Sequence, residues 1–68
     1  MTREHQQFEL ALGQFRLGNY KSSIEHFKST LNENPENALA HAYLSLALHD
    51  TKRLHAADYE ADIALSLA

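Results

Sequence analysis

An apolar stripe between two turn signals dominates residues 17–38. The stripe residues, separated by steps of four, three and four, are Tyr20, Ile24, Phe27 and Leu31. Such spacing places all four side chains on one face of a helix. Gly18 comes before the stripe and can adopt the left-handed conformation found just after a helix, and Asn34-Pro35 follows the stripe as a helix-starting pair. The sequence therefore predicts a helix over 20–33 with a turn on each side.

Three further helices are predicted around this one. The first covers about 3–17, the third ends near Asp50, and the fourth runs from about Leu54 onward. The chain contains only two glycines and one proline, which is consistent with long helices and few turns. The residues predicted to cap the first three helices, through side-chain oxygens that accept from backbone N–H groups, are Thr2, Asn19 and Asn34.

The second turn is expected to differ from the first. Lys52 stands where a second hairpin would need the left-handed backbone that Gly18 provides in the first. A residue with a Cβ costs on the order of 1 kcal/mol in that conformation.

The first helix carries apolar residues on two sides. One stripe consists of Phe8, Leu12 and Phe15. The other, about 160° around the helix, consists of Leu10, Gln14 and Leu17. Apolar residues on two sides predict contacts on two sides, as in a stacked array of helices.

Composition limits the size and the partners of the protein. The 68 residues are expected to form one small domain, 1–68, whose core alone rarely supplies more than ~3–5 kcal/mol. The net charge of −3, with both signs interspersed, disfavours binding to nucleic acid or to a membrane surface. There is no cysteine, no apolar signal-peptide core and no apolar run near ~18 residues. We therefore predict a cytoplasmic protein.

The two halves of the chain match one pattern at a 34-residue spacing, as between Gly18 and Lys52. The positions in the first half are Gln7, Leu10, Ala11, Gln14, Gly18, Tyr20, Ser23, Phe27, Thr30 and Pro35. Those in the second half are His41, Leu44, Ser45, Leu48, Lys52, Leu54, Ala57, Ala61 and Ala64. This pattern resembles that of the tetratricopeptide repeat (TPR) family, W-x2-L-G-x2-Y followed by G-x-Y, A-x3-F, A and P. The resemblance places repeats at 4–37 and 38–68, although both halves lack the large aromatics of the first helix.

The resemblance implies an all-α fold of two helix-turn-helix repeats. Its four antiparallel helices would form a short right-handed α-solenoid without a C-terminal capping helix. The alternative is a four-helix up-down bundle. A bundle closes its core by packing the fourth helix on the first, whereas a solenoid leaves an open face at its end.

Catalytic and metal-binding chemistry finds little support. A helical metal site needs histidines four residues apart or a His-Glu-x-x-His run, but His41 and His49 are eight residues apart, about 12 Å along a helix. The chain also lacks a P-loop, a dinucleotide-binding glycine pattern and a nucleophile elbow. We therefore predict no catalytic residues, no metal and no cofactor.

The resemblance also indicates where a partner would bind. In TPR proteins the first helix of each pair lines a concave face that holds peptides or helices. The corresponding residues here are His5, Phe8, Leu12, Phe15, Arg16, Leu39, Ala42, Tyr43, Leu46 and His49. The Lys/Asn set of chaperone-binding members is missing, so an apolar peptide or helix is the expected ligand. Alternatively, Phe8 and Phe15 cover one another and leave no open strip.

The C-terminal end is a second candidate surface. The residues predicted to lie where a further repeat or cap would dock are Ala57, Ala61, Ala64 and Leu65. Repeat arrays usually need three or more repeats and a polar cap, so a second copy or a further segment is expected to cover this end.

Two functions thus remain open. The first is a non-catalytic interaction module that binds a protein or peptide partner in an apolar groove. The second is a self-assembly unit that forms homodimers or larger stacks through its last helix.

Overall fold

Helices account for all the regular secondary structure in the described part of the protein. The computed structural model describes residues 2–52 and 54–67, and of 54 and 55 the backbone alone. The helices are α1 (Arg3–Arg16), α2 (Tyr20–Glu33), α3 (Ala38–Asp50) and α4 (Leu54–Leu67). No strand occurs within those two ranges. The all-α prediction is confirmed, whereas the side chain of Leu54, one of the pattern positions in the second half, lies outside the described residues.

The predicted caps of the first two helices have different outcomes. The Thr2 hydroxyl accepts a hydrogen bond from the His5 backbone N–H at 3.1 Å, which confirms this cap. Asn19 occupies the N-cap position of α2, but its side chain makes no capping bond there. Its amide instead donates to Gln14 Oε1 at 2.9 Å, so the predicted side-chain cap of α2 is wrong.

The predicted cap of α3 is also wrong. Asn37 caps this helix, because its Oδ1 accepts from the Ala40 N–H at 2.9 Å. Asn34 closes the preceding turn instead, with its Oδ1 accepting from the Glu36 N–H at 3.1 Å. Both asparagine amides donate to one Glu4 carboxylate oxygen, at 3.1 and 2.8 Å, and so fasten this turn to α1.

The two helix-to-helix turns within the hairpins share a left-handed residue and the hydrogen bond that this residue donates. Gly18 has a φ of +81° and Lys52 a φ of +64°, both in the left-handed region. The Gly18 N–H donates to the Phe15 carbonyl at 3.0 Å, and the Lys52 N–H donates to the His49 carbonyl at 2.9 Å. The second turn therefore does not differ from the first at these positions, and the rest of the expectation falls on residue 53, outside the described residues. The closing hydrogen bonds recur at the same spacing and hold lysine in a conformation that favours glycine.

Phe27 lies at the centre of the core and is fully buried. The other buried apolar residues are Ala11, Ile24, Ala40, Leu44, Ala47, Leu48 and Ala57. Phe27 stacks on Tyr43 with ring centroids 5.8 Å apart and meets Phe8 and Phe15 edge to face, at 5.9 and 6.5 Å. The core therefore joins α1, α2 and α3 around one aromatic side chain.

The helices pack in the order in which they follow one another along the chain. α1 packs on α2, α2 on α3, and α3 on α4. Within the described residues no extensive contact joins α4 to α1. A closed four-helix bundle requires the fourth helix to pack on the first, and this packing is not among the extensive helix contacts of the described residues.

Each hairpin contains a polar pair that links its two helices. In the first, Gln7 Oε1 lies 2.8 Å from His26 Nδ1. In the second, at the positions related to these by the 34-residue offset, His41 Nδ1 contacts Glu60 Oε1. His41 Nε2 also lies 2.7 Å from the Pro35 carbonyl oxygen. His41 thus links α3 both to α4, through Glu60, and to the turn that precedes α3, through Pro35.

Candidate docking groove between the third and fourth helices

Part of the predicted concave face is packed against the core. The half-buried members that pack on the core are Phe8, Leu12, Phe15 and Tyr43. The Tyr43 ring lies edge to face with Phe8 at 6.0 Å and with Phe15 at 5.7 Å. Phe8 and Phe15 are thus joined through Tyr43 and Phe27, and α3 covers much of the apolar strip predicted on α1.

The other predicted groove residues lie mostly on the surface. His5, Arg16 and His49 are exposed, and Leu39 and Leu46 are 63% and 53% exposed. His5 Nε2 lies 3.8 Å from a Glu9 carboxylate oxygen on the same face of α1. The ten predicted residues thus divide into half-buried and exposed ones, and their role as one binding groove stays a prediction.

An open apolar depression of about 370 Å³ lies between α3 and α4. Its lining residues, which define the α3–α4 groove, are Ala42, Ser45, Leu46, Ala61, Ala64 and Leu65. Two of them come from the predicted peptide-binding set and three from the predicted self-association set. The structure thus combines parts of two surfaces that the sequence suggested separately.

Ala57 does not belong to this surface. It is only 3% exposed and forms part of the core, so its assignment to a self-association face is wrong. Its carbonyl accepts a hydrogen bond from the Ser45 hydroxyl at 2.7 Å, which holds α4 against α3 at this level. Since that hydroxyl is already satisfied, the groove presents mainly methyl and methylene groups to an incoming side chain.

Side-chain size creates the groove. Ala42 and Leu46 are four residues apart on α3, and Ala61, Ala64 and Leu65 occupy one stripe of α4. The alanines leave space between the two helices, and the longer leucines rise at its edges. Leu65 is 75% exposed and, with the half-exposed Leu46, adds apolar surface to the groove.

The 34-residue offset is the sequence signal that identifies this groove. Subtracting 34 from its residue numbers yields Phe8, Ala11, Leu12, Phe27, Thr30 and Leu31. All six lie in the buried core of the first hairpin or are half-buried, and the apolar members belong to the core or pack on it. α3 completes that core with Ala40, Leu44 and Ala47. The α3–α4 groove is therefore the counterpart of a site that a helix already fills within this chain.

Three other concave regions lie away from α4 and have more polar linings than the α3–α4 groove. A polar cleft of about 320 Å³ is lined by Arg3, Gln7, Ser29, Asn32 and Glu33. Among the described residues, no three His, Asp or Glu side chains come together in a way that could hold a metal ion. The buried His41–Glu60 pair is occupied in joining α3 to α4. None of the helices, within the part of the chain that the structure describes, has the length and apolar character needed to cross a bilayer.

No family model, no curated protein and no solved structure matches this chain.

Proposed function

We propose that this protein is a non-catalytic interaction module that receives an apolar helix, or a helical peptide, in the α3–α4 groove. We further propose that it is built as a two-repeat TPR-like right-handed α-solenoid. A cytoplasmic location and the absence of nucleic-acid binding stay predictions from composition.

Three features support the proposed architecture, and two of them recur at the 34-residue offset. The left-handed turn residues Gly18 and Lys52 correspond to one another. The cross-helix pairs Gln7–His26 and His41–Glu60 do so as well. Each helix also packs on the next in sequence, as the helices of a repeat array do.

The observation that carries the proposed function is the uncovered groove. Its counterpart on the first hairpin is filled by α3, so the shape left open on the second hairpin suits another helix. Amphipathic helices commonly bind by laying an apolar face into a groove of this kind, with anchors three or four residues apart. An exposed apolar surface with such a shape is typical of a protein–protein contact.

A synthetic helix can test the proposal without knowledge of a natural partner. The probe is a fluorescent peptide of about 20 residues, long enough to form helix, with leucines at three- and four-residue spacing. Fluorescence anisotropy with the chain at low concentration measures its affinity. We expect binding to the parent and none of comparable strength for a scrambled peptide of the same composition.

A matched pair of variants locates the binding site. Ala61→Glu places a charge inside the groove, and should weaken peptide binding about 100-fold because the carboxylate would be buried without a partner. Ala56→Glu adds the same charge at an exposed position of the same helix and should leave binding unchanged. Circular dichroism checks that both variants keep their helices. Equal binding by the parent and Ala61→Glu would refute the proposal.

A further inference from the structure

We infer that the helix received by the α3–α4 groove is α1 of a second copy of this chain, so that copies stack head to tail. This inference rests on the proposed function, since it names the partner of the same groove. The part that enters is the outer face of α1, defined as Leu10 and Gly13 together with Leu17, the C-cap residue that follows the helix.

The outer face of α1 is apolar and uncovered. Leu10 is 50% exposed and Leu17 is 73% exposed. Gly13 lies between them, and a Cβ atom added there would meet no other atom within 4 Å. The three residues follow at steps of three and four, on a different side of α1 from the fully buried Ala11. α1 therefore offers two leucine anchors around a point where another helix can approach closely.

The 34-residue offset relates this face to the docking face of α3. Leu10 corresponds to Leu44 and Gly13 corresponds to Ala47. In α3 these two residues are 2% and 0% exposed, within the core shared with the first hairpin. At these two positions α1 thus repeats, on an exposed surface, the leucine and the small residue with which α3 covers the counterpart of the groove, whereas Gln6 stands at the position of the buried Ala40.

Polar residues beside the two faces are complementary as well. Tyr43 of α3 lies against Phe15, with ring centroids 5.7 Å apart. The same offset replaces Tyr43 by Glu9 of the incoming copy and Phe15 by His49 of the receiving copy. A carboxylate would then face an imidazole where the chain itself has two aromatic rings. Both residues are exposed in the single chain and can meet without first leaving a buried partner.

The geometry of such a contact sets the form of the assembly. α1 and α4 stand at opposite ends of the packing order, so one chain can use its outer face and its groove at once. A contact between two different surfaces is heterologous and extends indefinitely unless its rotation closes a ring. A two-fold contact between two α4 helices would instead stop at a dimer. The inferred contact therefore predicts growth beyond two copies.

Complementation between two blocked variants distinguishes these arrangements. Leu10→Glu disables the outer face of α1 but leaves the groove intact, and Ala61→Glu disables the groove but leaves α1 intact. Sedimentation equilibrium over a hundredfold concentration range should show the parent growing beyond a dimer and each variant remaining monomeric. An equimolar mixture of the two variants should form a dimer of twice the chain mass, because one functional contact is restored.

Several results would overturn the inference. They are a parent that stays monomeric, a Leu10→Glu variant that associates like the parent, and a mixture of the two variants that stays monomeric. The synthetic peptide separates these failures from failure of the proposed function. If the parent binds the peptide in the groove and any of the three results is obtained, the groove receives a different helix. If Ala61→Glu binds the peptide like the parent, the groove itself is not the docking site.

Two variants at Gly13 provide a test in which the fold is not weakened. Gly13→Ala recreates the residue found at the corresponding position in α3, so assembly should persist. Gly13→Arg also suits a helix, but its long side chain should prevent close approach and abolish growth. Thermal melting at low concentration should show both variants to be at least as stable as the parent. Loss of assembly in Gly13→Ala, or its persistence in Gly13→Arg, contradicts the inferred contact.

Discussion

The α1–α2 hairpin and the α3–α4 hairpin share their turn geometry but differ in what covers them. Both turns place a residue in the left-handed region, and both hairpins join their helices through a polar pair at the same positions. The first hairpin is covered by α3 and holds Phe27 fully buried. The second has Ala61 at the matching position, in an open groove.

This difference shows that the backbone conformation of the turns and the side-chain packing between the helices depend on different parts of the sequence. The repeated backbone is set by local features, namely helix ends and their hydrogen bonds, which tolerate lysine in place of glycine. The filling depends on what a hairpin packs against. Phe8 and Phe27 fill the space beneath α3, whereas Ala42 and Ala61 leave that space open for an occupant. Exchanging features between the two hairpins therefore tests which of them matter.

The largest effect is expected from removing the aromatic centre of the first hairpin. Phe27→Ala should lower the free energy of unfolding by about 3–5 kcal/mol, because it deletes a fully buried ring and leaves a cavity. That loss is comparable with the whole stability expected of a core this small. Circular dichroism during thermal melting measures it.

The control lies in the second hairpin. Leu65→Ala removes a side chain that is 75% exposed and should change the stability of the monomer by less than about 0.5 kcal/mol. A Phe27→Ala variant that melts within a degree or two of the parent would show that the two hairpins do not differ in this way.

The buried polar pair of the second hairpin should give the next largest effect. The side chains of His41 and Glu60 are only 8% and 16% exposed, so His41→Ala leaves a largely buried carboxyl group without its hydrogen-bond partner. Leaving such a group unsatisfied costs about 1–3 kcal/mol. Urea denaturation at constant pH measures the loss.

A double variant tests whether the Gln–His pair of the first hairpin can replace the His–Glu pair of the second. His41→Gln with Glu60→His installs the residue types of the Gln7–His26 pair at the matching positions. A thermodynamic cycle should show a favourable coupling of about 0.5–3 kcal/mol between the two substitutions. Additive losses would mean that the two pairs are not structurally equivalent.

Sequence periodicity predicts those parts of the fold that depend on local order. The four helices, the Thr2 cap and the burial of Phe27 follow from spacing and residue type. The cap of α3 does not, because Asn34 and Asn37 can both act as caps. Both asparagine side-chain amides donate hydrogen bonds to the Glu4 carboxylate, which lies on α1, far earlier in the chain. Local sequence around the turn does not reveal this contact.

The candidate site was predictable in parts and not as a whole. Ala57, Ala61 and Ala64 follow one another on a single stripe, so sequence spacing treats them alike. The Ser45 hydroxyl holds α4 close to α3 at Ala57, and the side chain there is buried while its neighbours open to the groove. Such a contact depends on tertiary geometry. The correspondence between Ala61 and Phe27, by contrast, was present in the 34-residue offset.

The smallest effects are expected at the two left-handed turn residues, Gly18 and Lys52. Exchanging glycine and lysine between them measures the stability cost of a Cβ atom at positive φ. Lys52→Gly should stabilise the protein by about 0.5–1 kcal/mol, because relief of the Cβ clash at a φ of +64° exceeds the greater entropy of glycine in the unfolded chain. Gly18→Lys should cost a similar amount, since its φ of +81° would then carry a Cβ. Nothing lies within 4 Å of a Cβ added at Gly18, so steric contact with other elements does not contribute. Each change should move the melting temperature by about 2–8 °C, in opposite directions. If Lys52→Gly left the melting temperature unchanged while Gly18→Lys lowered it, the lysine side chain would be contributing a stabilising interaction that the first turn lacks.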